Sequence, residues 1–111
     1  MEQIQWQDFE KIDIRVGTVI AVNHFEKAKK PAYQLQIDFG EIGIRKSSAQ
    51  ITTHYSTEDL INKQVIAIIN FPPKQIANFF SECLVLGVYD INQAVILLQP
   101  DCNVPNGSKI G

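Results

Sequence analysis

The sequence predicts an all-β chain folded as a small closed or partly open barrel, and three observations carry the prediction. Apolar and polar side chains alternate cleanly with a period of two in the first half. Three short, continuous apolar runs occupy the second half, and only two stretches have room for a helical turn. At 111 residues and 45% hydrophobic content, residues 1–111 suit one domain with a single core.

The elements follow in order. Residues 6–11, Trp6-Gln7-Asp8-Phe9-Glu10-Lys11, fit one short helical turn. Ile12, Ile14 and Val16 then alternate with Asp13 and Arg15 and run on through Gly17 to Val22 as a half-buried strand. Tyr33, Leu35 and Ile37 alternate with Gln34, Gln36 and Asp38 and stop at Phe39-Gly40. Ile42-Gly43-Ile44 with Arg45 and Lys46 reads as the returning partner. Residues 58–62 allow a helix of one or two turns, with Ser56 or Thr57 as its N-cap. Residues 65–69, 84–88 and 94–98 read as core strands. Between the first two, Pro72 and Pro73 fix φ and withhold two backbone donors, so the segment reads as a stiff polar loop. The tail from Asp101 to Ser108 is turn chemistry, with Asn106-Gly107 favouring positive φ.

Charge and reactive residues narrow the function. Ten Lys and Arg against twelve Asp and Glu give a net charge of −2 and a pI near 5.6, so a general polyanion coat is excluded. Any nucleic-acid role must come from a local patch. Cys83 and Cys102 lack CxxC spacing and are too few for a disulfide framework, so both are expected reduced, Cys83 as an inert core thiol. His24 and His54 have no carboxylate or cysteine at ligand spacing, so neither a metal nor a cofactor is expected. No Ser-His-Asp order, paired carboxylates or glycine-rich phosphate loop can be argued from the spacing, and no enzyme is read. Acidic residues at Glu2, Asp8 and Glu10 replace the basic and apolar start of a leader. No secretory signal or membrane span is expected, and the chain reads as cytoplasmic.

A barrel of five or six short strands with one or two helical turns fits the OB-fold, a five-stranded Greek-key barrel that binds oligonucleotides. Its ligand face comprises strands 2 and 3 with the loops joining strands 1–2 and 4–5, here residues 25–31 and 71–80. Lys27, Lys29 and Lys30 fall in the first loop, Lys74 in the second, and Arg45 and Lys46 after strand 2, placing six of the ten cations on that face. Ser48, Gln50 and Asn70 add neutral groups able to contact phosphates, bases or 2′-hydroxyls, or to close the strand and loop themselves. Phe79 and Phe80 either stack on bases or send one ring to the core and one to an interface.

Three of these segments carry a family resemblance. Asp13-Ile14-Arg15-Val16-Gly17, the strand end Ile37-Asp38-Phe39-Gly40, and Asn70-x-x-Pro73-Lys74-x-Ile76 with Ser81 resemble the EMAP II-like tRNA-binding domain. That domain is found appended to aminoacyl-tRNA synthetases and as free-standing proteins. Lys46-Ser47-Ser48-Ala49-Gln50-Ile51, Asn70-Phe71-Pro72-Pro73-Lys74-Gln75-Ile76 and Val104-Pro105-Asn106-Gly107 are similar to its free-standing CsaA branch, over nearly the whole length. The resemblance implies an OB-fold homodimer that binds tRNA and has also been described as an export-related chaperone for unfolded polypeptides or preproteins. With the placement above, it marks Lys29, Lys30, Arg45, Lys46, Ser48, Gln50, Asn70, Lys74 and Ser81 as an RNA site. Ile76, Phe79 and Phe80 are the corresponding expectation for polypeptide.

The sequence also departs from synthetase-associated relatives. They carry two or three basic residues between the asparagine and the serine, whereas here Lys74 is accompanied by Gln75 and Ala77. Ser81-Glu82-Cys83-Leu84 replaces Ser-x-Gly-Met. Fewer cations and an added carboxylate imply weaker RNA affinity and a shallower salt dependence. Finally, Trp6 and Phe9 at one terminus and Val104 and Ile110 at the other need a cover. The expectation is a two-fold homodimer interface above about 1,000 Å² in total, against the alternative that Trp6 and Phe9 plug their own barrel.

Overall fold

Five antiparallel strands wrap around one apolar core in the computed structural model, which describes residues 1–111. Their order is β3 (Ile44–Ala49), β2 (Tyr33–Asp38), β1 (Ile14–His24), β4 (Gln64–Ile68) and β7 (Leu84–Val85). The ends of this sheet meet. Glu82 N donates to Lys46 O at 2.7 Å and Ser47 Oγ to Cys83 O at 3.0 Å, joining β3 to the segment leading into β7. The result is the nearly closed OB-fold barrel.

The alternation read from the sequence sets the inside of the barrel. Tyr33, Leu35 and Ile37 are buried, and their cross-strand partners are Ala49, Ser47 and Arg45. Val19, Phe39, Leu60, Val65 and Ala67 complete the core. Gly17 lets two strands approach closely, because a Cβ there would lie 2.6 Å from Ile37 Cγ2 and 2.7 Å from Phe39 Cδ1. The helix α2 (Thr57–Leu60) starts at a reciprocal cap in which Asp59 N donates to Ser56 Oγ and Ser56 N to Asp59 Oδ2. Its Leu60 closes one end of the barrel.

Three expectations are corrected. The proline-led segment is not a loop throughout, because β5 (Lys74–Ile76) and β6 (Phe79–Ser81) pair as a hairpin around Ala77 and Asn78. Residues 84–88 are not one core strand: after β7 the chain turns outward into β8 (Gly87–Tyr89), which pairs with β9 (Val95–Leu97) in a separate hairpin. Val88, Tyr89, Ile91 and Ile96 are exposed there, so a continuous apolar run does not here mean a run buried on both faces. The tail is more than turns. Gly107, Ser108 and Ile110 exchange backbone bonds with Ile14 and Val16, extending the sheet along β1.

The helix α1 (Trp6–Glu10) buries none of its residues, and Trp6 is 65% exposed, so Trp6 and Phe9 do not plug their own barrel. No helix is long and apolar enough to cross a membrane.

Candidate nucleic-acid interface

The β5–β6 hairpin and the loop between β1 and β2 stand side by side, and an aromatic contact fixes their spacing. Phe25, buried at the start of the lysine loop, packs against Phe79 of β6 with ring centres 5.4 Å apart. Lys46 Nζ lies over the Phe79 ring of this tilted pair, 5.4 Å from its centre. Phe79 is therefore half-buried at the joint, while Phe80 points outward.

Between these two pieces runs an open groove of about 610 Å³. Lys27, Lys29 and Lys30 line it from the loop, Lys74 and Gln75 from β5, and Ser48 and Gln50 from the end of β3. Ile76 also lines the groove, and no carboxylate does. Four cations around a concavity free of acidic side chains form a local positive site on a chain whose net charge is −2. Neutral amide and hydroxyl groups sit among the lysines, so the groove offers both point charges and directional partners.

The structure separates the remaining candidates from this groove, and for Arg45 the strand pleat explains why. Lys46 and Ser48 share one face of β3, whereas Arg45 shares the opposite face with buried Ser47. Arg45 Nη1 consequently reaches inward and donates to Ile69 O at 3.2 Å. Ser81 Oγ accepts from Ser48 N at 3.1 Å and thereby orients the strand that carries Ser48. Asn70 is occupied at both ends of its amide: Oδ1 accepts from Asp13 N at 3.0 Å, and Nδ2 donates to Lys11 O at 2.7 Å. It ties the end of β4 to the segment entering β1. Glu82 does not enter the groove either, because its Oε1 accepts from Lys46 N at 2.9 Å.

Gln75 also lines the groove, its Nε2 donating to Ala77 O at 3.1 Å across the hairpin turn; in the sequence it stood out only as a neutral residue where relatives carry a cation. Burial pushes the Cys83 thiol up to about 11, so it stays protonated and unreactive. His54, without a partner at sequence spacing, meets Asp90 from the β8–β9 hairpin at 2.7 Å.

Two apolar features accompany the lysines' groove, one sharing Lys74 with it and one at the termini. Phe71, Pro72, Cys83 and Leu84 line an apolar cavity of about 280 Å³ rimmed by Lys74 and Ser81. At the termini, Trp6, Phe9, Ile12 and Ile110 line another concavity, of about 290 Å³. Val104 is not part of it: its backbone N–H and C=O are both bonded to the side chain of Gln64.

Comparison with known proteins places this architecture. The family described as "Putative tRNA binding domain" matches residues 14–109. The chaperone CsaA of Bacillus anthracis is 49% identical, with 99% of this chain and 100% of that one covered and a TM-score of 0.94. The CsaA chaperone protein of Picrophilus torridus is 55% identical over 98% of this chain and 100% of its own, with a TM-score of 0.91. A methionine–tRNA ligase of Porphyromonas gingivalis is 37% identical over 109 residues, which are 98% of this chain and 16% of that enzyme. The chain thus spans about a sixth of the ligases it matches.

Proposed function

Because the chain belongs to the tRNA-binding-domain family and is CsaA-like, we propose that residues 1–111 act as one tRNA-binding unit whose lysine groove holds the phosphate backbone of structured RNA. The observation that carries this reading is the convergence of Lys27, Lys29, Lys30 and Lys74 on one concavity without a carboxylate. Lysines attract phosphate without reading sequence, while Ser48, Gln50 and Gln75 supply the directional contacts to sugars and base edges. Arg45, Lys46, Ser81 and Asn70 support the groove from behind by holding β3, the hairpin and the N-terminal segment in place. No catalytic role is proposed, and a tRNA ligand puts the protein's work in the cytoplasm.

The test is a triple variant, Lys29→Ala with Lys30→Ala and Lys74→Ala. Each phosphate contact removed lowers the log–log salt slope by about 0.7 to 0.9, so tRNA affinity falls and the slope flattens by roughly 2 to 3. Unchanged affinity and slope would place the site elsewhere.

A second reading, polypeptide capture, is favoured by the apolar cavity at Phe71, Pro72 and Leu84 and by the chaperone names of the two CsaA neighbours. Exposed Phe80 adds apolar surface on the adjoining hairpin, whereas Ile76 and Phe79 belong to the groove and its joint. The proposed assembly is a homodimer that covers Trp6, Phe9 and Ile110 and presents two grooves to one ligand.

A further inference from the structure

A second cavity adjoins the lysine groove and shares Ala28, Lys29 and Ala32 with it, so the lysine loop forms a ridge between the two. Its volume of about 560 Å³ falls in the roughly 300–1,000 Å³ range of small-molecule sites. Its chemistry differs from the groove's. His24, Glu26, Tyr33 and Thr52 line it together with Lys29 and Pro31. The groove holds four lysines and no carboxylate; this cavity holds one lysine, one carboxylate and one imidazole. Glu26 repels phosphate and favours a ligand that presents hydrogen-bond donors.

We propose that this cavity takes one unstacked guanine base of an RNA strand whose phosphates lie in the neighbouring groove, an inference that rests on the tRNA-binding reading above. Exposed His24 supplies a flat face for stacking. Its ring is held edge-on against Tyr33, with centres 5.3 Å apart, and Tyr33 is in turn anchored by donating its hydroxyl to Tyr55 O at 2.7 Å. The Glu26 carboxylate selects the base. Guanine alone carries two adjacent donors on its Watson–Crick edge, N1–H and the 2-amino group, which match the two oxygens of a carboxylate. Adenine and cytosine each set a ring-nitrogen acceptor beside their amino group, and uracil flanks its single N–H with two carbonyls, so each of these turns a lone pair towards Glu26. The shared residues Ala28, Lys29 and Ala32 make the base part of a strand: a backbone that leaves the groove across this ridge drops its next base into the cavity.

The test compares short all-uridine RNAs of about seven nucleotides in which the central base is uracil, guanine, inosine, adenine or cytosine. Free guanosine 5′-monophosphate is run as a competitor. The guanine strand binds about 5- to 100-fold more tightly than the all-uridine strand, as a bidentate base contact provides. Inosine, lacking the 2-amino group, loses part of that gain. Glu26→Gln, which keeps the shape and removes the charge, abolishes the preference while binding the all-uridine strand at least as well as wild type and with the same salt slope. Equal binding of all five strands with an ordinary salt slope overturns the guanine pocket and leaves the phosphate groove standing. Competition by free guanosine 5′-monophosphate as strong as by the guanine strand overturns the strand-borne base. Failure of every strand and of tRNA to bind removes the groove reading and this one together.

Discussion

Asn70 shows how a residue in a binding motif can act by holding the fold. Its amide reaches Asp13 N and Lys11 O, backbone groups 57 and 59 residues away in sequence, and so locks the end of β4 to the segment entering β1. Neither bond was legible in the sequence, where an asparagine ahead of two prolines reads equally as strut or reader. Asn70→Ala removes two bonds worth about 0.5 to 1.5 kcal/mol each. The expected result is a lower melting temperature with the tRNA salt slope intact, since no charge is lost. An unchanged melting temperature with lost discrimination between tRNA and a simple duplex would instead make Asn70 a direct reader of RNA. Arg45 carries the same lesson: its number placed it beside Lys46, but one step along a pleated strand reverses the face, and it serves the Ile69 carbonyl.

At the scale of elements, strict alternation declared both a strand and its buried face, whereas a continuous apolar run declared only a strand: residues 65–69 give the core strand β4 (Gln64–Ile68), but residues 84–88 divide between β7 and β8. Tyr33, Leu35 and Ile37 declare their face by the glutamines between them, and all three are buried. Leu84 to Val88 carries no such phase, and the one mark of its turn outward is Gly87 itself; a Cβ there would lie 2.5 Å from Val95 Cγ1, which is why the β8–β9 pairing needs glycine. The resulting hairpin is clasped by His54, whose hydrogen bond to Asp90, aided by the N–H groups of Ala94 and Asn92, holds that carboxyl below its ordinary value of 3.8. A depressed carboxyl stabilises the folded state above its unfolded pKa and loses that contribution as pH falls through the folded one. Asp90→Asn, which keeps the turn's acceptor and removes the charge, should therefore melt lower than wild type near neutral pH. The gap should close as pH falls well below 3.8. A gap independent of pH would show that the charge plays no part in the clasp.

For the whole molecule, the cations spread along the sequence become a site only when the barrel brings residues 27–30 and Lys74 to one groove. The sequence patterns located the barrel and the two connections, the second of which is the β5–β6 hairpin and not a loop throughout; the Phe25–Phe79 contact that sets their spacing is a product of the fold. The exposed Trp6, with Phe9 and Ile110, leads to a second expectation at this scale. Sedimentation at low micromolar concentration should give a dimer, and Trp6→Ala should shift it towards monomer. A wild-type monomer of normal thermal stability would rule out both the interface and the bivalent grip. The central claim, that phosphate binding in the lysine groove is the main activity, is tested most directly by titrating labelled tRNA and a labelled unfolded polypeptide in parallel across a salt series. Three to four lysine–phosphate contacts predict a tRNA log–log slope of roughly −3, with polypeptide binding nearly flat. A tRNA affinity that ignores salt, or is absent while the polypeptide binds, would contradict the account and leave the apolar cavity at Phe71 as the working site.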